Sequence, residues 1–486
     1  MHEAAKPLTA PIDREPIRTD IPARLDRLRW GSFHWLVVLA LGASWAIDGL
    51  EVTLTGAVSG VLQDPATLGL DGARIGALGS AYLFGAVVGA LVCGYLTDRH
   101  GRSKLFFVTL GVYLGGTLLT GFSWDFWSMA TCRWITGFGI GGEYAAINSA
   151  IDELIPARVR GTVNLFINGS YWIGAAVGSA ATLVLLDPNL LPIDFGWRLG
   201  FGIGAVLGLF VLAARRHVPE SPRWLIIHGQ HERAQRVVGD IEARLAASSP
   251  AVSPAELLTI RPRSHVALGL VVRTMLRQYP RRSILGLVLI TSQAFLYNAI
   301  FFTYALVLTR FYDVGPAQTG LYLLPFALAN FMGPVALGWF FDRFGRRVMI
   351  STTYSVSALL LLATGALFAQ GGLTAYSQTA LWSAIFFVAS AAASSAYLTV
   401  SEIFPLELRA LAIAVFYAFG TAAGGVFAPW LFGELIGSGS RSSVFGGYAL
   451  GAGLMLIAAV VEAWIGVDAE RTSLERVAPP LSIVGP

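Results

Sequence analysis

Gly94-Tyr95-Leu96-Thr97-Asp98-Arg99-His100-Gly101-Arg102-Ser103-Lys104 recurs as Gly338-Trp339-Phe340-Phe341-Asp342-Arg343-Phe344-Gly345-Arg346-Arg347, 244 positions later. A second motif, Glu153-Leu154-Ile155-Pro156-Ala157-Arg158-Val159-Arg160-Gly161, returns as Glu402-Ile403-Phe404-Pro405-Leu406-Glu407-Leu408-Arg409-Ala410, 249 positions on. Two unrelated motifs repeated at nearly one offset make the chain two homologous halves, each of roughly 200 residues. Apolar runs long enough to cross a bilayer lie between the motifs. Paired halves of this kind are the build of a secondary transporter.

Composition agrees with a membrane setting. Hydrophobic residues make up 55% of the chain and charged ones 13%, where a soluble domain carries about 25% charged residues. At about 20 apolar residues per crossing, twelve spans can be laid out. They fall near 34–61, 73–97, 104–122, 126–151, 161–186, 198–215, 283–310, 317–341, 348–369, 374–400, 410–436 and 443–466. The expected fold is an all-α membrane protein, six helices in each of two pseudo-symmetric halves. Gly85, Gly89 and Gly94 on the second span, and Gly111 and Gly115 on the third, are of the type that lets membrane helices touch.

The segments outside the spans are a polar tail (1–33), a break between halves (216–282) and a short flexible tail (467–486). The break has apolar positions every three or four residues over 230–247 and 266–278, which predicts short amphipathic helices along the membrane face. A disordered linker is the alternative. Only Arg74, Arg198, Arg310 and Arg441 fall at one side of the spans, and nearly every other Arg and Lys falls at the opposite side. That bias puts both termini in the cytoplasm and excludes a nucleic-acid reading of the +4 net charge. Cys93 and Cys132 sit inside spans, so no disulfide framework is expected. A membrane enzyme would need a metal cluster or a nucleophile–base pair. His34, His100, His217, His228, His231 and His265 are terminal or cytoplasmic in this layout, as is His2, so none of them supplies one.

Ionised side chains inside spans cost about 2.5–3.5 kcal/mol each on insertion scales, so each needs a reason. Asp48 and Glu51 lie one turn apart on span 1, and Arg133 and Glu143 lie on span 4. At about 1.5 Å per residue, Glu51 is roughly 5 Å and Arg133 roughly 8 Å to the outer side of their span midpoints. They are therefore at similar depth and opposite in charge. Three acids cluster around one arginine where a static pair would need only one. An acid that stays ionised beside Arg133, and takes a proton when Arg133 moves away, would couple solute movement to protons. A carried proton is worth about 2.3 kcal/mol per 100 mV. No other cofactor is called for.

The repeated motifs resemble the major facilitator superfamily over residues 30–466. Pro219-Glu220-Ser221-Pro222-Arg223 and the two Glu-x-x-Pro-x-x-x-Arg motifs look like its sugar porters. The resemblance implies that Glu51 and Arg133 form a proton-coupling pair. Asn168, seven residues after Gly161, and Asn330, twelve before Asp342, fall where sugar porters place binding amides. Gln293, Asn298 and Tyr397 complete the candidate solute contacts. Other positions depart: Ser292-Gln293-Ala294-Phe295-Leu296-Tyr297-Asn298 keeps only part of the sugar-porter pattern for span 7, and Ala393-Ser394-Ser395-Ala396-Tyr397 replaces its Gly-Pro-x-x-Trp. Asp48-Gly49-Leu50-Glu51 resembles a signature of aromatic-acid:proton symporters, and Gly141-Gly142-Glu143 one of metabolite:proton symporters.

The expected function is uptake of a small polar solute, a sugar or related metabolite, by proton symport through alternating access. An organic or aromatic acid:proton symporter, or a facilitator or drug exporter of the same fold, is the alternative. The expected cytoplasmic gate has Asp98 and Asp342 capping neighbouring helices. In it Arg99, Arg102, Arg343 and Arg346 face Glu153 and Glu402, and Arg160 and Arg409 stand beside them. The partners expected are a small-molecule solute and the lipid bilayer of the cytoplasmic membrane, with the chain working as a monomer.

Overall fold

The computed structural model describes residues 15–58, 61–245, 257–261, 268–301, 303–314 and 319–482. His2 and His265, and parts of both expected linker helices, lie outside these residues. Twelve membrane-crossing elements follow in order. They are α1 (Ser32–Val58), α2 (Gly72–His100), α3 (Arg102–Thr120), α4 (Phe126–Leu154), α5 (Arg160–Gly169 continued by Tyr171–Leu185) and α6 (Ile193–Arg215) in the first half. The second half has α7 (Pro280–Phe301), α8 (Thr319–Arg343), α9 (Arg346–Ala369), α10 (Ala375–Ile403), α11 (Arg409–Gly420 running on through Thr421–Val426 to Phe427–Gly437) and α12 (Arg441–Ile465). Ten of these among the described residues are long and apolar enough to span on length and composition alone. The other two are α4, with its buried Arg133 and Glu143, and α5, broken at Ser170.

Helix ends are set by local chemistry. Asp125 and Thr374 open α4 and α10 as capping boxes, each accepting the N–H of the residue three places on, which satisfies a backbone donor that the first turn cannot. Gly101 (φ 101°) separates α2 from α3, and Gly345 (φ 98°) separates α8 from α9. Both are in a region that side-chain-bearing residues avoid. Span 7 was expected as one run over 283–310; instead α7 ends at Phe301 and a separate helix covers Tyr304–Tyr312.

Glycine seams hold helices close, though not all those expected. A Cβ at Gly85 would lie 2.2 Å from the Trp134 carbonyl oxygen and one at Gly89 2.0 Å from that of Phe138. Gly137 and Gly141 return the contact onto Tyr82 and Ala86, so α2 and α4 touch backbone to backbone. Gly94 meets Ala414 of α11. Gly111 and Gly115 face open space, and Gly116 makes the α3–α4 contact instead. Exposed Leu39, Phe84, Phe122 and Trp464 on the outer surface suit contact with lipid tails.

The described residues before α1, between α6 and α7, and after α12 gather at one end of the bundle, called here the linker face. His231–Arg244 is the helix expected around 230–247, and Leu268–Arg273 lies in the second expected region. The described part of the N-terminal tail is built in: Ile17–Thr19 pairs antiparallel with Leu258–Ile260, and Arg24 binds Glu242 at 2.6 Å. The segment after α12, expected as a loose tail, is docked. Glu475 pairs with Arg223 at 2.8 Å, and Ser482 donates both its N–H and its hydroxyl to Glu407. Its polar anchors are scattered from Glu470 to Ser482, so no periodic pattern marks it in sequence.

Candidate functional site

Three groups of side chains stand out, two along the interface between the halves and one inside the first half. At the linker face the two halves cap each other's helices. Asp98, ending α2, accepts the N–H groups of Ala410 and Leu411 at the start of α11 (3.4 and 3.0 Å). Asp342, ending α8, accepts those of Gly161 and Thr162 at the start of α5 (3.1 and 2.7 Å). A carboxylate at a helix N-terminus meets the positive end of the helix dipole. Arg102 bridges Asp98 (3.1 Å) and Glu153 (2.9 Å), and Arg346 bridges Asp342 and Glu402, both at 2.9 Å. Arg409 reaches Glu153 at 3.7 Å, and Arg160 reaches Glu402 at 3.5 Å, each across the halves. Arg99 and Arg343 were expected to face these acids; instead both are exposed, and Arg343 stacks on Trp339. They follow the bridging aspartates directly, so their side chains leave the helix on the solvent side.

A second ring surrounds this lock. Glu220 accepts the N–H groups of Arg102 (2.9 Å) and Ser103 (3.2 Å), and burial pushes its carboxyl above the ordinary carboxylate range. Arg223 donates to the Glu153 carbonyl (2.7 Å) and pairs with Asp26 (3.1 Å) and Glu475. Burial opposes ionisation of Glu475, but Arg223, a backbone N–H and Arg409 together outweigh it and hold the carboxyl below its usual value. Glu470 accepts the N–H of Arg346 at 3.3 Å. Sequence reasoning missed Glu470 and Glu475. Glu470 stands 250 positions after Glu220, close to the offset of the other repeats, and that was the available signal.

The second group lies inside the first half. Glu51 and Arg133 form a buried ion pair, each 1% exposed, with the guanidinium over the Tyr82 and Phe201 rings. Glu143 pairs not with Arg133 but with Arg215 of α6, which also donates to Ser44. The three acids therefore share two arginines rather than one. Arg215 was missed because it is the last residue of its helix, where an arginine reads as a topology signal. Asp48 is 1% exposed, and neither of its oxygens has a hydrogen-bond partner among the described residues.

The third group lines the mid-membrane contact between the halves. Tyr144 stacks on Tyr417 (4.6 Å) and approaches Tyr397 (6.2 Å), while Trp172 meets Tyr297 (5.8 Å). Of the expected solute contacts, Gln293 donates to the Tyr397 hydroxyl at 3.5 Å. Half-buried Asn298 donates to the Ala294 carbonyl. Asn330 is wholly buried, accepting from Tyr297 and donating to Phe326. Asn168 donates to Asn148 and Asn164 within the first half. The last two spend their amide groups internally; Gln293 and Tyr397 meet across α7 and α10, and Asn298 lies beside Gly425 of α11.

The family described as "Sugar (and other) transporter" matches residues 53–478. The chain belongs to that family. Among curated relatives, the transporter is 29% identical to myo-inositol transporter 2 of Schizosaccharomyces pombe, covering 78% of this chain and 70% of that protein. It is 26% identical to the niacin transporter NiaP of Acinetobacter baylyi, covering 68% and 72%. It is 24% identical to the 4-hydroxybenzoate transporter PcaK of the same species, covering 86% and 88%. The major facilitator proton:xylose symporter XylE, bound to 6-bromo-6-deoxy-D-glucose, superposes with a TM-score of 0.74 at 18% identity, over 92% of this chain and 98% of that one. The transporter is thus a multi-pass membrane protein of the major facilitator fold that moves a small molecule and is not an enzyme.

Proposed function

We propose that the transporter takes up a small polar solute, a sugar or related metabolite, across the cytoplasmic membrane by proton symport. The linker face is its cytoplasmic side, both termini are cytoplasmic, and the chain works as a monomer without a cofactor, the proton being its coupling ion. The observation that carries this reading is the buried Glu51–Arg133 pair with unpaired Asp48 one turn away. Such charges inside a membrane bundle are costly and are kept for ion movement. With the halves locked at the linker face, the described state has its cytoplasmic side closed. Release of that lock, and reclosure at the far side, would carry solute through.

A second reading, an aromatic carboxylic acid as solute, is favoured by one observation: tyrosine and tryptophan rings line the contact between halves, and flat rings stack well on such walls. Counterflow in proteoliposomes loaded in turn with xylose, myo-inositol, nicotinate and 4-hydroxybenzoate tests both. Exchange of a polyol alone supports the first reading and exchange of an aromatic acid alone the second. No proton-gradient-driven uptake of any exchanged solute would overturn the symport reading.

A further inference from the structure

Ser44, Asp48 and Glu51 recur at spacings of four and three on α1, so one stripe of that helix carries all three. Along the membrane normal the stripe rises about 10 Å from Ser44 to Glu51. On α4, Arg133 and Glu143 are separated by about 15 Å in the same direction. The charges therefore form a ladder through the first half. Glu51 with Arg133 is its outer rung, Asp48 its middle, and Glu143 with Arg215 and Ser44 its rung nearest the linker face.

Charge does not balance along this ladder. Three carboxylates face two guanidiniums, and every one of the five side chains is at most 2% exposed. Both ion pairs are made, and the acid left over is Asp48. Its charged neighbours are Glu51 on its own helix, Glu143 on α4 and Arg215 on α6. The phenols of Tyr82, Tyr113, Tyr144, Tyr171 and Tyr417 come from α2, α3, α4, α5 and α11. None of these is a second cation. A lone buried carboxylate costs several kcal/mol, whereas a neutral one does not. Arg215 also keeps two nitrogens, Nε and Nη1, without hydrogen-bond partners among the described residues, and Glu143 one oxygen, so the inner pair has spare bonding capacity toward Asp48.

We propose that Asp48, Glu143 and Arg215 form an inner proton station, with Arg215 as the positioning residue that decides which acid carries the proton. This rests on the proton-coupled reading above. In the described state the proton is on Asp48, and Arg215 holds Glu143 ionised. For inward transfer the guanidinium leaves Glu143 and pairs with Asp48. The Asp48 O–H bond breaks, an O–H bond forms on Glu143, and Arg215 stays protonated throughout. Glu143 then loses the proton to water entering from the opened linker face, and Arg215 returns to it.

Infrared spectroscopy of the full-length protein in lipid at neutral pH tests this without any solute, because only a protonated carboxyl gives the acid carbonyl stretch. The signal is the part of that band in excess of what the Asp48→Asn protein shows, so the wild type carries one unit. Arg215→Gln should raise it about twofold, since Glu143 then also takes a proton. Glu143→Gln should abolish it by freeing Arg215 for Asp48. The double variant Glu143→Gln/Arg215→Gln, a neutral pair of similar shape, should restore one unit even if Arg215→Gln alone folds poorly. A wild type without the signal, or a signal unchanged in both Glu143→Gln and Arg215→Gln, overturns the station. Proton-driven accumulation is measured separately: if it persists with the station overturned, coupling by Glu51 and Arg133 stands.

Discussion

Glu220 and Glu470 occupy the same place in the two halves. Each carboxylate accepts the first N–H of the helix that follows a positive-φ glycine, Arg102 after Gly101 and Arg346 after Gly345. A Cβ at Gly101 would come within 2.3 Å of Glu220, and one at Gly345 within 2.9 Å of Glu470. The two glycines therefore serve both the turn and the approach of the acid. The linker face of the molecule is thus held by two concentric sets of charges, one joining the halves and one tying linker and C-terminal segment onto them.

The inner set should govern the conformational equilibrium. Its pairs are buried, and breaking a buried pair by removing one partner costs about 3–5 kcal/mol, so Glu402→Gln should raise the inward-open population by more than tenfold. A cysteine at Leu154, with Cys93 and Cys132 replaced by serine, reports this by its labelling rate. Unchanged labelling in a well-expressed Glu402→Gln protein would reduce these charges to topology signals.

The outer set should respond to acid. Glu475 has its carboxyl held below the usual value when docked, so its contribution is present above the ordinary glutamate range, near about 4.3. It is lost as pH falls through the lowered docked value. Undocking of residues 470–482, followed by hydrogen exchange, should therefore rise at acid pH in the wild type, and Glu475→Gln should show raised exchange already at neutral pH. Identical exchange in both proteins at neutral pH would deny the Arg223–Glu475 pair a role.

The glycine seam predicts a stability split. Gly89→Ala places a methyl against the backbone of Phe138 and should cost about 1–3 kcal/mol, as overpacking does. Gly111→Ala, facing open space, should be near neutral. Thermal unfolding in detergent distinguishes the two, and equal melting temperatures would mean that α2 and α4 are not in backbone contact.

Solute binding is tested at Gln293 and Asn298. For a neutral solute, replacing either by alanine should raise the apparent KM about 5- to 150-fold, the loss of about 1–3 kcal/mol for one partner of a buried hydrogen bond. For a carboxylate these changes should matter little, and Arg133→Gln should abolish counterflow. Counterflow kinetics decide between them.

Much of the fold was legible because membrane burial leaves few options: apolar length fixed the spans and the repeated Asp-Arg-x-Gly-Arg motif fixed the halves. The cross-half capping by Asp98 and Asp342 was readable in outline, since a carboxylate at a helix end has one obvious use. Arg215 and Glu475 were not. An arginine ending a span and a glutamate in a short polar segment have solvated readings that are sound for most such residues. Only three-dimensional packing shows them buried. Asn330 is the converse case: its sequence position suggests solute contact, and in the structure Tyr297 donates to its amide oxygen.

Accumulation by Glu51→Gln in energised vesicles tests the central claim most directly. With an imposed proton gradient, the wild type should concentrate its solute, while Glu51→Gln should equilibrate it without concentrating it, yet still catalyse counterflow. Undiminished gradient-driven accumulation by Glu51→Gln would contradict the assignment of proton coupling to the Glu51–Arg133 pair.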